Sequence, residues 1–282
     1  MRGRGAPRQG VGFGQLPDVC VVTNSSQRAA ARRYLIATDA GPAALVFDSR
    51  ILQSQRPIIV LFHGAFRRAA SLSEWLDRLQ GLADVVLAEL PGHGQAPPCA
   101  PPSLERFTEL FSLALTQTFP GRPMVLAGES LGALVAASLS RLGPVVALDP
   151  LLTTAKLWPI RWTIETRRRH DPEFQADPDF IFSFFGYDAG GGDVERTYHH
   201  VFEALESPAW LVAGDMPLLP VRALDRAPSL LEPEDVSWLA ALPRVTLRMA
   251  PSTGHHVFAE APDVAESVIR EAVASLHRES PS

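Results

Sequence analysis

The amino-acid sequence predicts an α/β fold, a mostly parallel central sheet flanked by helices and interrupted by one helical insertion. Short apolar runs alternate with longer segments of helical periodicity, the pattern of strands joined by crossover helices. That rhythm is lost over residues 151–207, where no strand pattern occurs. The chain has 282 residues, 46% of them hydrophobic and 20% charged. It is large enough for a real core and too apolar for disorder. The organisation expected is a flexible tail over 1–17, a core over 18–150 and 208–282, and the helical insertion over 151–207.

Residues 1–8 are basic and rich in glycine and proline, as in a mobile tail. No apolar segment follows them up to Asp18, so a secretory signal is not expected. Residues 19–22 and 43–47 read as early strands. Ile58–Phe62 is five apolar residues without alternation, as in a strand buried on both faces. Residues 84–88, 124–127, Val145–Leu148, 210–213 and 245–247 complete the strand set. Between them, residues 71–82 place Leu72, Trp75, Leu76 and Leu79 on one helical face. Ser103 is an N-cap candidate for a helix running from Leu104 toward Phe119. Residues 131–142, rich in Ala, Leu and Ser, suit a buried helix, and Pro262 opens a last helix reaching Leu276. Inside the insertion, helical pieces around 160–168, 172–185 and 194–205 are separated by Asp-Pro pairs and by Gly190-Gly191-Gly192.

Several function classes are disfavoured by composition. A net charge of -5 argues against a general nucleic-acid binder. Cys20 and Cys99 cannot build a disulfide framework, and no Cys-x-x-Cys suggests zinc. No stretch approaches the roughly 18 apolar residues of a spanning helix, so a cytoplasmic protein without a membrane partner is expected. Lys156 is the sole lysine among 26 basic residues. Such an arginine excess reads as compositional bias.

The strongest chemical signal is Gly128-Glu129-Ser130-Leu131-Gly132, between a predicted strand and a predicted helix. A serine on such a turn needs unusual backbone angles, and small residues on either side keep the turn from clashing. Ser130 would stand above the sheet at the positive end of the helix, with the Leu131 N–H ready for a developing oxyanion. A serine hydroxyl needs a base to be a nucleophile at neutral pH. Gly254-His255-His256 offers one, and His255, directly after the glycine, is preferred. Phe62-His63-Gly64-Ala65-Phe66 leaves a strand through a glycine, so the N–H of Ala65 or Phe66 can supply a second oxyanion donor. His63 is read as stabilising this loop.

These motifs, with Pro91-Gly92-His93-Gly94 between them and Phe258-Ala259-Glu260-Ala261-Pro262 after the histidines, resemble the α/β-hydrolase superfamily over roughly residues 43–276. The resemblance implies the α/β-hydrolase fold, a serine nucleophile at Ser130 and an oxyanion loop. It implies acyl transfer to water on a carboxylic ester or related substrate, with no organic or metal cofactor. It also implies a triad acid after the strand that follows the insertion. Asp215, in Gly214-Asp215-Met216-Pro217, is the first choice, although its turn is shorter than the family's. Asp149, after Val145–Leu148, is the alternative acid and also reads as a plain Asp-Pro turn; Asp225 is a third candidate. An acyltransferase, a lyase or oxygenating relative, and an inactive binding module are the rival functions.

By the same resemblance the insertion is a cap above Ser130. Residues 180–185, with Trp158, Trp162 and Tyr187, are candidates to line an apolar acyl pocket for a small-molecule substrate or to pack the cap onto the core. Arg167-Arg168-Arg169-His170 is a candidate to attract an anionic substrate group and reads chiefly as a solvated helix face. Tyr198-His199-His200 lacks metal-ligand spacing.

Overall fold

The computed structural model describes residues 13–15, 31–154, 158–170, 177–188, 190–216 and 227–277. Among these, one sheet contains β1 (Phe13–Gln15), β2 (Arg32–Thr38), β3 (Gly41–Phe47), β4 (Ile58–Phe62), β5 (Asp84–Glu89), β6 (Met124–Glu129), β7 (Val145–Leu148), β8 (Ala209–Gly214) and β9 (Val245–Ala250). The strand order is β1-β2-β3-β5-β4-β6-β7-β8-β9. Strands β4 to β9 run parallel, and β1 to β3 extend the sheet antiparallel. The helices are α1 (Glu74–Leu79), α2 (Leu104–Thr118), α3 (Leu131–Ser138), α4 (Trp158–His170), α5 (Pro178–Phe185), α6 (His199–Glu203), α7 (Pro233–Ala240), α8 (Val257–Glu260) and α9 (Pro262–Ser275).

The two-residue period of the strands splits the core into two layers. Phe62, Leu126, Ala147 and Leu211 share one apolar cluster with Phe107 and Phe111 of α2 and Leu134 of α3. Ile59, Leu61, Val125 and Val146 share the other with Trp75 of α1 and Val268 and Ile269 of α9. That is why Ile58–Phe62 shows no polar alternation: helices cover both faces. Each such side chain contributes about 1.5–3 kcal/mol by burial. Ser103 caps α2 as expected, its Oγ accepting from Arg106 N at 3.2 Å.

Several sequence expectations change. Phe13–Gln15 pairs with β2, so these residues are not part of a free tail over 1–17. Strand β2 was not anticipated, because its charged opening, Arg32-Arg33, hides a buried face made of Tyr34 and Ile36. The helix expected over 71–82 divides into a 3-10 turn, Ala69–Leu72, and α1. Helix α3 stops at Ser138, and a 3-10 turn over Ser140–Leu142 carries the chain to Gly143, whose φ of 154° breaks the helix. The expected strand at 19–22 lies outside the described residues. Between β7 and β8 the described residues include three helices and one isolated bridge, Thr153 to Thr197. No helix among the described residues is long and apolar enough to cross a membrane.

Candidate active site

Ser130 lies between the last residue of β6 and the first of α3, with φ 59° and ψ -121°. A non-glycine residue rarely adopts such angles, and the surrounding contacts must hold it there. The Ser130 N–H donates to Leu148 O at 3.0 Å, and its carbonyl accepts from Ala133 N at 3.0 Å. The flanking glycines are required by close approach. A Cβ on Gly128 would lie 2.2 Å from Gly132 O, and one on Gly132 would lie 2.4 Å from Phe62 O. The oxyanion-loop candidate sits directly beside the serine: a Cβ on Gly64 would be 3.4 Å from Ser130 Cβ. Leu131 opens α3, and the first N–H groups of a helix have no intrahelical acceptor.

Ser130 and His255 line one cavity of about 240 Å³ with Ala65, Phe66, Trp162 and Phe185. His255 Nδ1 donates to Asp149 Oδ2 at 2.6 Å. That bond fixes the proton on Nδ1 and leaves the lone pair on Nε2. Asp149 is fully buried and well supplied with donors. Its Oδ2 also accepts from Leu230 N at 2.8 Å, and its Oδ1 from Ser229 Oγ at 2.5 Å and Gly214 N at 3.4 Å. Burial, the largest single influence, acts to lower the His255 pKa. The hydrogen bond and charge of Asp149, with the charge of Glu129, outweigh it, and the net shift is upward.

The structure brings the alternative acid, Asp149, to His255 and leaves the first choice, Asp215, elsewhere. Asp215 Oδ1 accepts from Thr253 N at 3.2 Å and braces the turn before the histidines, while Asp149 takes His255. The physical reason is register. Asp149 follows directly on β7, with its N–H tied to Val212 O of β8 at 2.8 Å and φ 43°. Asp225 lies outside the described residues.

Sequence reasoning missed Glu129, the variable residue inside the glycine-flanked motif. Its carboxylate is buried and joins three loops. Oε2 accepts from Phe258 N at 3.0 Å, while Oε1 faces His256 Nδ1 at 3.4 Å and Arg67 Nη1 at 3.3 Å. Burial alone would raise its pKa, but the His256 bond and the charges of His255, His256 and Arg67 outweigh it and hold it low. The available signal was a carboxylate immediately before a buried helix. Ser229, which orders Asp149, gave no sequence signal.

His63 takes the structural role expected of it. Its Nδ1 donates to Gly64 O at 2.8 Å and its Nε2 accepts from Leu90 N at 3.1 Å. Burial, with the nearby charges of His93 and Arg67, lowers its pKa to about 3, so it stays neutral. Among the cap candidates, Phe185 and Trp162 face the Ser130 cavity. Phe180 and Phe184 pack into the core, and Phe182 is exposed beneath the Arg196 guanidinium, 5.0 Å away. Tyr187 lies under Arg161 at 5.1 Å, and the side chain of Trp158 is outside the described residues. In the arginine run, Arg169 and His170 are exposed, but Arg167 turns inward and donates to the Phe66 carbonyl.

Comparison with known proteins agrees with this fold. The model of the alpha/beta hydrolase family matches residues 59–267. The biotin biosynthesis bifunctional protein BioHC of Cellvibrio japonicus (strain Ueda107) is 29% identical over 148 residues, 50% of this chain, and the match spans only 28% of that protein. The carboxylesterase CesB (YbfK) from Bacillus subtilis is similar in fold, with a TM-score of 0.62 at 12% identity, covering 87% of this chain and 92% of that one. A thermophilic esterase from Thermogutta terrifontis gives 0.60 at 17% identity, with 88% and 100% covered.

Proposed function

The chain belongs to the alpha/beta hydrolase family, and from that premise we propose that it is a serine hydrolase cleaving a carboxylic ester or related acyl substrate. The observation that carries the reading is the 2.6 Å bond from His255 Nδ1 to the buried Asp149, with His255 and Ser130 on one cavity. Ser130 Oγ attacks the substrate carbonyl as His255 Nε2 takes its proton. Asp149 holds the imidazole in the required tautomer and stabilises the imidazolium. The N–H groups of Leu131 and of Ala65 or Phe66 face the developing oxyanion. His255 then returns the proton to the leaving oxygen, and water resolves the acyl-enzyme by the same steps. The residues between β7 and β8 act as a cap, with Trp162 and Phe185 supplying the apolar wall for the acyl group. The short Asp215 turn does not favour an inactive module, since Asp149 supplies a carboxylate bonded to His255.

A fluorophosphonate probe should label Ser130 in the native protein and leave Ser130→Ala unlabelled. Absence of label on the folded wild type would overturn the proposal. A chain-length series of p-nitrophenyl esters then measures the acyl pocket.

The pH profile follows from the upward shift of His255. Only its neutral form can accept the serine proton, so activity is lost as pH falls through its pKa. The acid limb of kcat/KM should therefore have its midpoint above 6.5, the ordinary histidine value. Glu129→Gln should move that midpoint down, because it removes a charge that favours the imidazolium.

A further inference from the structure

Beside the Ser130 cavity lies a second, larger recess of about 700 Å³. The two share Ala65, Phe66, Thr163, Arg167 and His256, so they adjoin along the oxyanion-loop candidate and α4. Their chemistry differs. The smaller cavity presents mostly apolar side chains around Ser130. The larger one is lined by three arginines, Arg67, Arg68 and Arg167.

Among the described residues the charge balance there is positive, although the whole chain carries -5. Two carboxylates among them oppose the arginines. Glu129 sits behind Arg67, and Asp177 lines the recess, where its side chain accepts from Asp179 N at the start of α5. Arg68 has no carboxylate within ion-pair distance among the described residues. Arg167 spans both cavities and is held by the Phe66 carbonyl, which places a guanidinium at their boundary. Guanidinium groups stay charged at every relevant pH and match the planar geometry of carboxylates and phosphates.

We infer that this recess is an anion subsite, and that the preferred substrates are acyl compounds bearing a carboxylate or phosphate a few bonds from the scissile carbonyl. The inference rests on the serine-hydrolase reading for its orientation: acyl carbon at Ser130, anionic end among the arginines. The small cavity alone accommodates a short acyl group, and the adjoining recess offers room for the rest of a larger substrate. Fixed cations at its mouth also raise the local concentration of anionic substrates.

The test uses isosteric pairs. p-Nitrophenyl hydrogen glutarate and p-nitrophenyl 5-methylhexanoate differ by a carboxylate against an isopropyl group. Wild type should favour the anionic ester in kcat/KM by at least about tenfold at low ionic strength, mainly through KM, with the preference shrinking as salt rises. Arg68→Gln and Arg167→Gln should each lower the anionic-to-neutral ratio several-fold. Arg270→Gln, on the outer face of α9 and paired with Glu266, should leave the ratio unchanged. An equal or reversed preference in wild type, or a ratio insensitive to Arg68 and Arg167, overturns the subsite.

Binding is measured separately by calorimetry on Ser130→Ala, using glutaranilic acid and 5-methylhexananilide, which need no turnover. Selective binding of the acid without ester hydrolysis by wild type would keep the subsite and reject the hydrolase reading. Hydrolysis of both esters with no selective binding would do the reverse.

Discussion

Replacing Asp149 with asparagine should lower kcat by about 10⁴-fold, the scale expected when a triad acid becomes an amide and the imidazole takes the wrong tautomer. The hydrogen bonds around Asp149 make the loss severe. Both carboxylate oxygens are acceptors here, from His255, Leu230, Ser229 and Gly214. An amide presents N–H donors on one side, and either orientation aims one at a backbone N–H, that of Leu230 or that of Gly214. A buried donor left unsatisfied costs about 1–3 kcal/mol, so thermal stability should fall together with rate. Asp215→Asn is the matched control. Asp215 braces Thr253 N, so its loss should stay within about tenfold in kcat. Steady-state kinetics and thermal unfolding of the two variants decide the assignment. A larger kcat loss in Asp215→Asn would return the acid to that position.

Gly132→Ala should cost both fold and activity. The added methyl would lie 2.4 Å from Phe62 O and 2.6 Å from His63 O. Both obstacles are backbone, so no rotamer change relieves them. Either α3 moves off the sheet or the strand exit after β4 shifts. Overpacking of this kind costs about 1–3 kcal/mol and occasionally more. At about 2–4 °C per kcal/mol for chains near this size, the upper end means a Tm lowered by roughly 6–12 °C. The shift also displaces Ala65 and Phe66 from Ser130, and losing one oxyanion donor costs about 10²–10³ in kcat. Gly81→Ala, where an added Cβ meets nothing within 4 Å, should change stability by about 0.5 kcal/mol or less. Equal effects from the two substitutions would remove the close-packing argument.

Much of this was legible in the sequence because it is local. Strands β4 to β9 announce themselves as apolar runs, and the elbow is written within five consecutive residues. The layered core follows from the two-residue period of Ile58–Phe62. What the sequence hid depends on contacts across the fold. The choice between Asp149 and Asp215 turns on which carboxylate the sheet aims at His255; both follow a predicted strand, and no periodicity separates them. Glu129 looked like a variable motif position, because its partners Arg67, His256 and Phe258 come from two other loops. Arg167 looked like one of three solvated arginines. Its inward turn depends on how α4 lies over Phe66, which helical spacing alone does not specify.

The long reach of these bonds also bears on how the protein is made. Asp149 meets His255 across 106 positions, and Glu129 meets His256 across 127. A ribosome adding about 5–20 residues per second needs roughly 6–25 s to travel from Ser130 to His255. On the proposed roles, the nascent chain during that interval carries its serine without its base. The hydroxyl stays chemically ordinary until the last strand and its histidines arrive. On the proposed roles, order of synthesis keeps serine and base apart until most of the described sheet has been made.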